Sequence, residues 1–200
     1  MSPELSVRRA APADTELVVS IITPAFAGDP LWSHALARPD GDVTHHAEFW
    51  RVFVDAAIGF GWTWLADGGA ATSIWIPPDE AEMSIEHEEE LVELARRHLG
   101  EKAADYQELS RRFDEARPTH EPHYYLSFVA THPDHRGHGI GMSLLARNLE
   151  LIDAEGYPAY LESSNPDNDA RYASLGFEAI GTFSYPGGGP RVTTMWRPAR

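Results

Sequence analysis

The order of predicted elements indicates a mixed α/β fold, in which one sheet is flanked by helices and contains a helical insertion. Short β-branched and aromatic runs occur at both ends of the chain, and a charge-rich helical segment lies between them. A further strand runs directly into a glycine-rich loop and a helix. With 42% hydrophobic residues among 200, we expect a single domain over residues 1–200, with the insertion at 79–117.

The N-terminal third is predicted to begin with a short strand at residues 5–9. A helix follows, for which Asp14 has the residue type of an N-cap. A turn at Asp29 precedes a second helix over residues 43–58. Two short strands then flank the sequence Asp-Gly-Gly at residues 67–69, which is typical of a β-hairpin.

The insertion is helical in pattern, with a thin apolar stripe formed by Leu91, Leu94 and Leu99. Its acidic run at residues 88–90 is typical of a solvated helix face. The sheet resumes after the insertion. Its remaining strands are expected to start at residue 123 and to lie at 159–163, 177–185 and 191–196.

The strand that starts at residue 123 leads into the sequence RGHGIG at residues 136–141 and then into a helix. Alternating glycines leave backbone N–H groups uncovered at the positive end of the helix dipole, so this loop favours an anion. Arg136 adds a full positive charge with five donors. We interpret the loop as the binding site for the pyrophosphate of a cofactor.

Two other nucleotide-binding motifs share this arrangement. A P-loop requires a lysine after its last glycine, and none follows here. A dinucleotide fingerprint requires G-x-G-x-x-G, but its third glycine position is Met142 when counted from Gly137 and Leu144 when counted from Gly139. A dinucleotide-binding oxidoreductase remains the weaker alternative, with Glu162 placed where a ribose-binding acid could lie.

The spacing R-x-x-G-x-G at residues 136–141 resembles motif A of the GNAT superfamily of acyl-CoA-dependent N-acyltransferases. The segments YLESSN at 160–165 and YASLGF at 172–177, with Asn168 between them, resemble motif B of the same superfamily. The resemblance implies a mostly antiparallel central sheet flanked by helices, with acetyl-CoA as co-substrate and no metal.

A looser resemblance, to puromycin N-acetyltransferase and its relatives, extends over most of the chain. It rests on the segments at residues 25–32, 62–78, 121–141 and 189–195.

The resemblance assigns acyl-CoA to two neighbouring stretches. The pyrophosphate is expected on the glycine loop, and the pantetheine along the edge of the preceding strand, where a backbone N–H could also donate to the thioester carbonyl. Asn168 is expected either to contact the cofactor or to cap the helix that follows. The predicted cofactor-binding residues are Val129, Ala130, Thr131, Arg136, Gly137, His138, Gly139, Ile140, Gly141 and Asn168.

Two side chains are the main candidates for proton transfer. Tyr172 matches the family tyrosine that protonates the departing thiolate, and the reference pKa of a phenol is close to that of a thiol. The alternative is a tyrosine that only packs at a helix end. Glu162 is the first candidate for the base that takes the proton of the amine, with burial as a structural hydrogen-bond acceptor as its alternative. His123, Tyr124 and Tyr125 are weaker candidates, and a chain of water molecules could replace a single base.

The histidines raise the question of a metal. His132, His135 and His138 are spaced by three, which on a helix would suggest a metal-binding face. Pro133 and the neighbouring glycines are incompatible with a helix there, so we predict no metal site. The adjacent histidines at residues 45–46 are expected at the surface.

The amine pocket is expected in the aromatic-rich N-terminal third. Most of these aromatic residues are expected in the core, with one or two left to line a pocket for a bulky or aromatic amine. They are Phe26, Trp32, Trp50, Phe53, Trp62, Trp64 and Trp75. The insertion could cover this pocket and present negative charge to the amine.

Charge and composition limit the partners. The net charge of −15, from 31 acidic and 16 basic residues, repels nucleic acid and anionic membranes and suits a small cationic amine. The absence of cysteine excludes disulfides and thiol nucleophiles. With no signal-sequence pattern and no apolar stretch of membrane-spanning length, we expect a cytoplasmic monomer or homodimer.

The leading hypothesis is an N-acetyltransferase that moves an acetyl group from acetyl-CoA to a small primary amine, such as an antibiotic or a metabolite. Acylation of a protein N-terminus or lysine is the alternative within the same class, because an acidic surface suits a basic peptide equally well. A catalytically silent acyl-CoA-binding module is the third, and Tyr172 argues against it.

Overall fold

The computed structural model describes residues 5–200, which form a seven-stranded sheet flanked by helices. The strands are β1 (Val7–Arg9), β2 (Thr63–Ala66), β3 (Ala71–Ile76), β4 (Tyr124–Thr131), β5 (Ala159–Ser163), β6 (Glu178–Ser184) and β7 (Arg191–Arg197). The helices are α1 (Thr15–Phe26), α2 (Pro30–Ala35), α3 (His46–Ile58), α4 (Ile85–Leu99), α5 (Ala103–Ala116), α6 (Ile140–Glu155) and α7 (Asp169–Ser174).

The strand order is β1-β2-β3-β4-β5-β7-β6, and β4 with β5 is the parallel pair among antiparallel neighbours. Helix α6 connects these two strands, as a parallel crossover requires. The predicted mixed, mostly antiparallel sheet flanked by helices is therefore confirmed. A doubly wound parallel sheet, which the dinucleotide-binding alternative needs, is wrong for this chain.

The two faces of the sheet carry separate cores. Trp50 and Val54 of α3 pack on one face with residues of α1 and α4, and Leu145 and Leu149 of α6 pack on the other. In residues 5–200, no helix combines the length and apolarity needed to cross a membrane. The sheet thus separates the body of α6 from the N-terminal helices, and the loop before α6 reaches the end of α1 where β4 ends.

The insertion forms two helices, α4 and α5, which together with the turn between them are called the helical hairpin below. Its predicted stripe of Leu91, Leu94 and Leu99 is buried. The two ends of the hairpin are joined because Arg117 Nη2 donates to Glu82 Oε2 over 2.8 Å. The hairpin is therefore held against the sheet by its leucines and closed at its base by an ion pair.

Asp14 does not cap α1 through its side chain. A short 3-10 turn at Pro12–Asp14 precedes the helix, and the Asp14 carboxylate instead accepts two 2.7 Å hydrogen bonds from Arg8. This pair joins β1 to the start of α1, so the carboxylate has a tertiary partner that the local sequence did not indicate.

The expectation that His45 and His46 lie at the surface is wrong. Their exposed fractions are 1% and 2%. Nε2 of His45 lies 2.9 Å from the carbonyl oxygen of Leu36, and its ring stacks on His98 of α4. Burial lowers the pKa of both histidines. Through this stacking, His45 contributes to the contact between the start of α3 and the helical hairpin.

Candidate active site

The site lies where β4 and β5 separate. Their pairing ends at Leu126 and Leu161, although β4 continues to Thr131 and β5 to Ser163. A register shift between β3 and β4 leaves Ser127 unpaired at this point. One edge of β4 is consequently open toward a crevice at the carboxyl ends of two parallel strands, a common position for ligand sites in sheets with this connection.

The glycine loop lies at one side of this crevice. Gly137 and Gly139 have φ values of +85° and +73°, a backbone region that costs glycine little. Among residues 5–200 no acceptor takes the backbone N–H of residues 137–139. These groups precede a sixteen-residue helix, so donors and helix dipole favour an anion at the same point.

Two arginines add positive charge to the loop. Arg136 donates one 2.7 Å hydrogen bond from Nη2 to the carbonyl oxygen of Ala25, which joins the loop to the end of α1. Arg171 of α7 donates from Nη1 to Oδ1 of Asn168 over 3.2 Å. Both side chains keep further donors, so the loop can meet a diphosphate with charge as well as with backbone N–H groups.

A cavity of about 470 Å³, called the smaller cavity below, extends from the glycine loop along the end of β4. Nine of the ten predicted cofactor-binding residues line it. They are Val129, Ala130, Thr131, Arg136, Gly137, Gly139, Ile140, Gly141 and Asn168. The exception is His138, whose Nδ1 lies 3.0 Å from the carbonyl oxygen of Arg136 and whose ring is exposed.

Asn168 does not cap α7 through its side chain. The neighbouring Asn165 instead caps the preceding turn, where its Oδ1 accepts from the N–H of Asp167 over 3.1 Å. The capping interpretation of Asn168 is therefore wrong, while its place in the wall of the smaller cavity agrees with the cofactor interpretation.

A second cavity of about 630 Å³, called the larger cavity below, lies beneath the helical hairpin. Phe26, Trp32 and Phe53 are the predicted aromatic residues that line it. Hairpin residues such as Tyr106 and Phe113 close the opposite side. Trp50, Trp62, Trp64 and Trp75 are buried in the core instead.

The walls of the larger cavity carry more acidic than basic side chains. The acids are Glu82, Glu88, Asp114 and Glu162, and the bases are Arg111 and Arg117. Arg111 pairs with Glu108 and Glu115 on its own helix, which leaves Arg117 as the base that faces the acids. The lining is thus aromatic with an excess of negative charge, a composition suited to a cation with an apolar body.

The two cavities share a boundary formed by Phe26, Val129, Ser164 and Tyr172. Ser164 donates a 2.7 Å hydrogen bond to Oδ2 of Asp29, which also caps α2 by accepting from two backbone N–H groups. The sequence marked Asp29 only as a turn residue, and nothing in it singled out Ser164.

Tyr172 lies on α7 with its side chain at this boundary. Burial, with Asp29 and Asp169 nearby, raises the pKa of the phenol above its ordinary value. The hydroxyl therefore stays protonated across the physiological range and can act as a proton donor. The pKa match between this phenol and a thiol, expected from reference values, stays a prediction.

Glu162 lines the larger cavity. Burial raises the pKa of its carboxyl to about 8, while Arg117 and the hydroxyls of Tyr160 and Tyr125 act in the opposite direction. Its Oε1 atom is buried without a hydrogen-bond partner among the described residues. A carboxyl with this pKa is a better match for an amine than an exposed glutamate would be.

The three weaker candidates for the base lie in different parts of the structure. Tyr125 lines the larger cavity beside Glu162. Tyr124 points to the other face of the sheet, where it donates to Glu155 Oε2 over 2.6 Å. His123 lies outside both cavities, with Nδ1 2.8 Å from the carbonyl oxygen of Glu121. In residues 5–200 no group of three or more histidine or acidic side chains is placed to hold a metal ion.

The sequence model of the acetyltransferase (GNAT) family matches residues 37–177, which is more than half of the chain and includes both the glycine loop and Tyr172. The chain belongs to this family. The fold and the strand–loop–helix unit of this GNAT chain agree with the match.

Solved structures of other acetyltransferases share this GNAT fold. One comes from Corynebacterium glutamicum and is described as "histone acetyltransferase HPA2 and related acetyltransferase". It has a TM-score of 0.69 and 21% identity over 98% of this chain and 97% of that one. A mosquito arylalkylamine N-acetyltransferase has a TM-score of 0.65 and 18% identity over 97% and 99%. A polyamine N-acetyltransferase from Drosophila melanogaster has a TM-score of 0.61 and 19% identity over 96% and 99%.

Proposed function

We infer that the protein is an N-acetyltransferase that moves the acetyl group of acetyl-CoA to a small primary amine by direct attack. The observation that carries this inference is the shared boundary of the two cavities. One cavity has the donors for a diphosphate and the other has aromatic and acidic walls, and Tyr172 lies where they meet.

The smaller cavity fits the cofactor of the family. Its free N–H groups at residues 137–139 and the start of α6 suit the pyrophosphate, and the open edge of β4 at residues 129–131 suits the amide-containing pantetheine arm. When bound, acetyl-CoA supplies the acyl carbon that the amine attacks and the thiolate that leaves. The chain itself binds, orients and moves protons.

Two proton transfers are assigned to residues of the larger cavity and its boundary. An alkylamine enters protonated, so Glu162, directly or through water, accepts a proton from the ammonium group. Tyr172 holds a proton at its hydroxyl oxygen and gives it to the departing sulfur. A backbone N–H on the open edge of β4 is the donor proposed for the acyl oxygen.

The acceptor is proposed to be a primary amine with an aromatic or otherwise apolar body. Support comes from the aromatic walls and acidic excess of the larger cavity, and from the structural neighbours named for arylalkylamine and polyamine acetylation. The helical hairpin covers this cavity, which favours a small molecule over an extended peptide. The looser sequence resemblance keeps puromycin among the candidates.

A thiol-release assay with acetyl-CoA tests the proposal. The acceptor panel contains phenylethylamine, tryptamine, agmatine, spermidine, puromycin and a basic peptide with a free N-terminus. We expect CoA release with at least one small aromatic amine and less with the peptide. Release with the peptide alone would favour the protein-acetylating alternative, and release with none would contradict the assignment of both cavities.

A further inference from the structure

The base of the helical hairpin lies against the candidate base Glu162. Glu82, before α4, and Arg117, after α5, form an ion pair over 2.8 Å. The other Glu82 oxygen accepts a 2.6 Å hydrogen bond from Ser127 Oγ, at the irregularity of β4. Both oxygens of Glu82 are thus engaged, one by a cation and one by the strand that forms the crevice.

Arg117 is held by two contacts and is partly buried. Besides its bond to Glu82, its guanidinium carbon lies 4.0 Å from the ring centroid of Tyr125, and its side chain is 22% exposed. Its charge is therefore held in a partly buried position in the lining of the larger cavity, to which Glu162 also belongs. Charge at such a position is screened less by salt than charge at the surface.

Glu162 forms no ion pair within 4.0 Å with any residue of the described chain. Tyr125 on β4, Arg117 at the end of α5 and Glu82 before α4 line the larger cavity together with Glu162. Tyr160, on the strand of Glu162, donates to the carbonyl oxygen of Ala116, the neighbour of Arg117, and its ring centroid lies 5.9 Å from that of Tyr125, the ring that Arg117 covers. On β7 the opposite residue is the uncharged Thr194. Arg117 is the positive charge in this set, and Glu82 is the negative charge that offsets it.

We propose that Arg117 is a positioning residue whose charge, fixed by Glu82 at the base of the helical hairpin, favours the ionised form of Glu162. The hairpin then does more than cover the larger cavity, because the ion pair at its base sets the fraction of enzyme whose base is ready to accept a proton. The importance of this for catalysis rests on the proposed function, whereas the charge effect itself does not.

The two halves of the ion pair have opposite effects on Glu162. Removing the positive charge in R117M leaves Glu82 uncompensated, so Glu162 should hold its proton to higher pH. Removing the negative charge in E82Q leaves Arg117 uncompensated, so Glu162 should lose its proton at lower pH. A purely structural role predicts that both variants loosen the hairpin and change Glu162 in the same direction.

The test is a ¹³C NMR titration of protein labelled at the glutamate carboxyl carbons, without substrates, with the Glu162 signal assigned from its loss in E162Q. The wild-type midpoint is expected at about 8. We expect R117M to move it up by roughly one pH unit, E82Q to move it down, and R117K to keep it near the wild-type value.

R112M is the matched control, because Arg112 also lies on α5 but pairs with Glu108 and the carbonyl oxygen of Ser184. It should leave the Glu162 midpoint unchanged. An unchanged midpoint in R117M, or a shift of R117M and E82Q in the same direction, would overturn the proposal. If R117M does not fold, a downward shift in E82Q supports the proposal and an upward or absent shift refutes it.

The titration also separates this inference from the proposed function. A wild-type protein that titrates as expected but acetylates no amine would refute the function and leave the charge effect standing. An active enzyme whose Glu162 midpoint does not change in R117M would refute the charge effect and leave the proposed function standing.

Discussion

Gly141, the second residue of α6, lies directly against Thr131 at the end of β4. A Cβ atom at position 141 would come within 2.5 Å of Thr131 Oγ1, which is closer than side chains pack in folded proteins. The first turn of α6 can therefore approach the strand only because residue 141 has no side chain. This contact sets the distance between the glycine loop and the open edge of β4.

Gly141→Ala is expected to destabilise the protein by roughly 1–3 kcal/mol, the usual cost of overpacking. Because the clash is with one hydroxyl oxygen, adding Thr131→Ala should restore much of the loss. Urea unfolding of both single variants and the double variant measures the coupling. If the double variant loses as much stability as the two single variants combined, the contact with Thr131 is not what destabilises Gly141→Ala.

Gly139→Val is expected to weaken acetyl-CoA binding at least tenfold, about 1.4 kcal/mol. A Cβ at this position meets nothing within 4 Å, so in the free protein the cost comes only from the positive φ. The valine side chain should collide with acetyl-CoA only when the cofactor occupies the loop. Calorimetric titration with acetyl-CoA measures the change.

Gly187→Val is the matched control for this variant. Gly187 has a φ of +75° and equally open surroundings, but it lies in the loop between β6 and β7, outside both cavities. It should show a similar change in stability and unchanged affinity for acetyl-CoA. Equal losses of affinity in the two variants would mean that backbone strain alone explains the effect.

Tyr172→Phe should lower kcat roughly a hundredfold or more, the range expected for loss of a general acid, and leave the Kd for acetyl-CoA near the wild-type value. Phenylalanine keeps the packing of the ring and removes only the proton donor. Steady-state kinetics and calorimetry together test this. A parallel loss of kcat and of affinity would point to a binding role instead.

The E162Q variant is expected to become more stable than the wild type, in free energy of unfolding, as pH rises. The folded-state pKa of about 8 exceeds the ordinary value of 4.5. Below pH 4.5 the carboxyl is neutral in both states and contributes no difference. Between the two values the folded protein must hold a proton that the unfolded chain releases, so wild-type stability declines until about pH 8.

Urea unfolding at pH 5, 7 and 9 measures this effect. The difference in free energy of unfolding between E162Q and the wild type should widen by roughly 2 kcal/mol or more over this range. E178Q, at an exposed position on β6, serves as the control. A difference for E162Q that does not change with pH would contradict the burial of a proton-binding carboxyl.

The sequence predicted those features that are local. Strand β4, the glycine loop and α6 are continuous in the chain. Residues 123–152 alone therefore predicted both the strand–loop–helix unit and an anion-binding site in its loop. The hairpin of β2 and β3 was equally predictable, because Asp67 and the two glycines that follow it adopt the positive φ values that such a turn needs.

Features that depend on distant contacts were not predictable. Ser164 and Asp29 are 135 positions apart, and neither stands in a pattern that indicates a partner. The burial of His45 depends on α4 packing over it, and the Arg117–Glu82 pair depends on how the hairpin closes. The division of the aromatic residues between core and cavity likewise required the packed structure.

The most direct test is calorimetric titration of the purified protein with acetyl-CoA, with NADH as the comparison ligand. The donors of the glycine loop, the open edge of β4 and the family assignment together predict micromolar binding of acetyl-CoA and none of NADH. Absence of acetyl-CoA binding would contradict the assignment of the smaller cavity, and with it the proposed acetyl transfer.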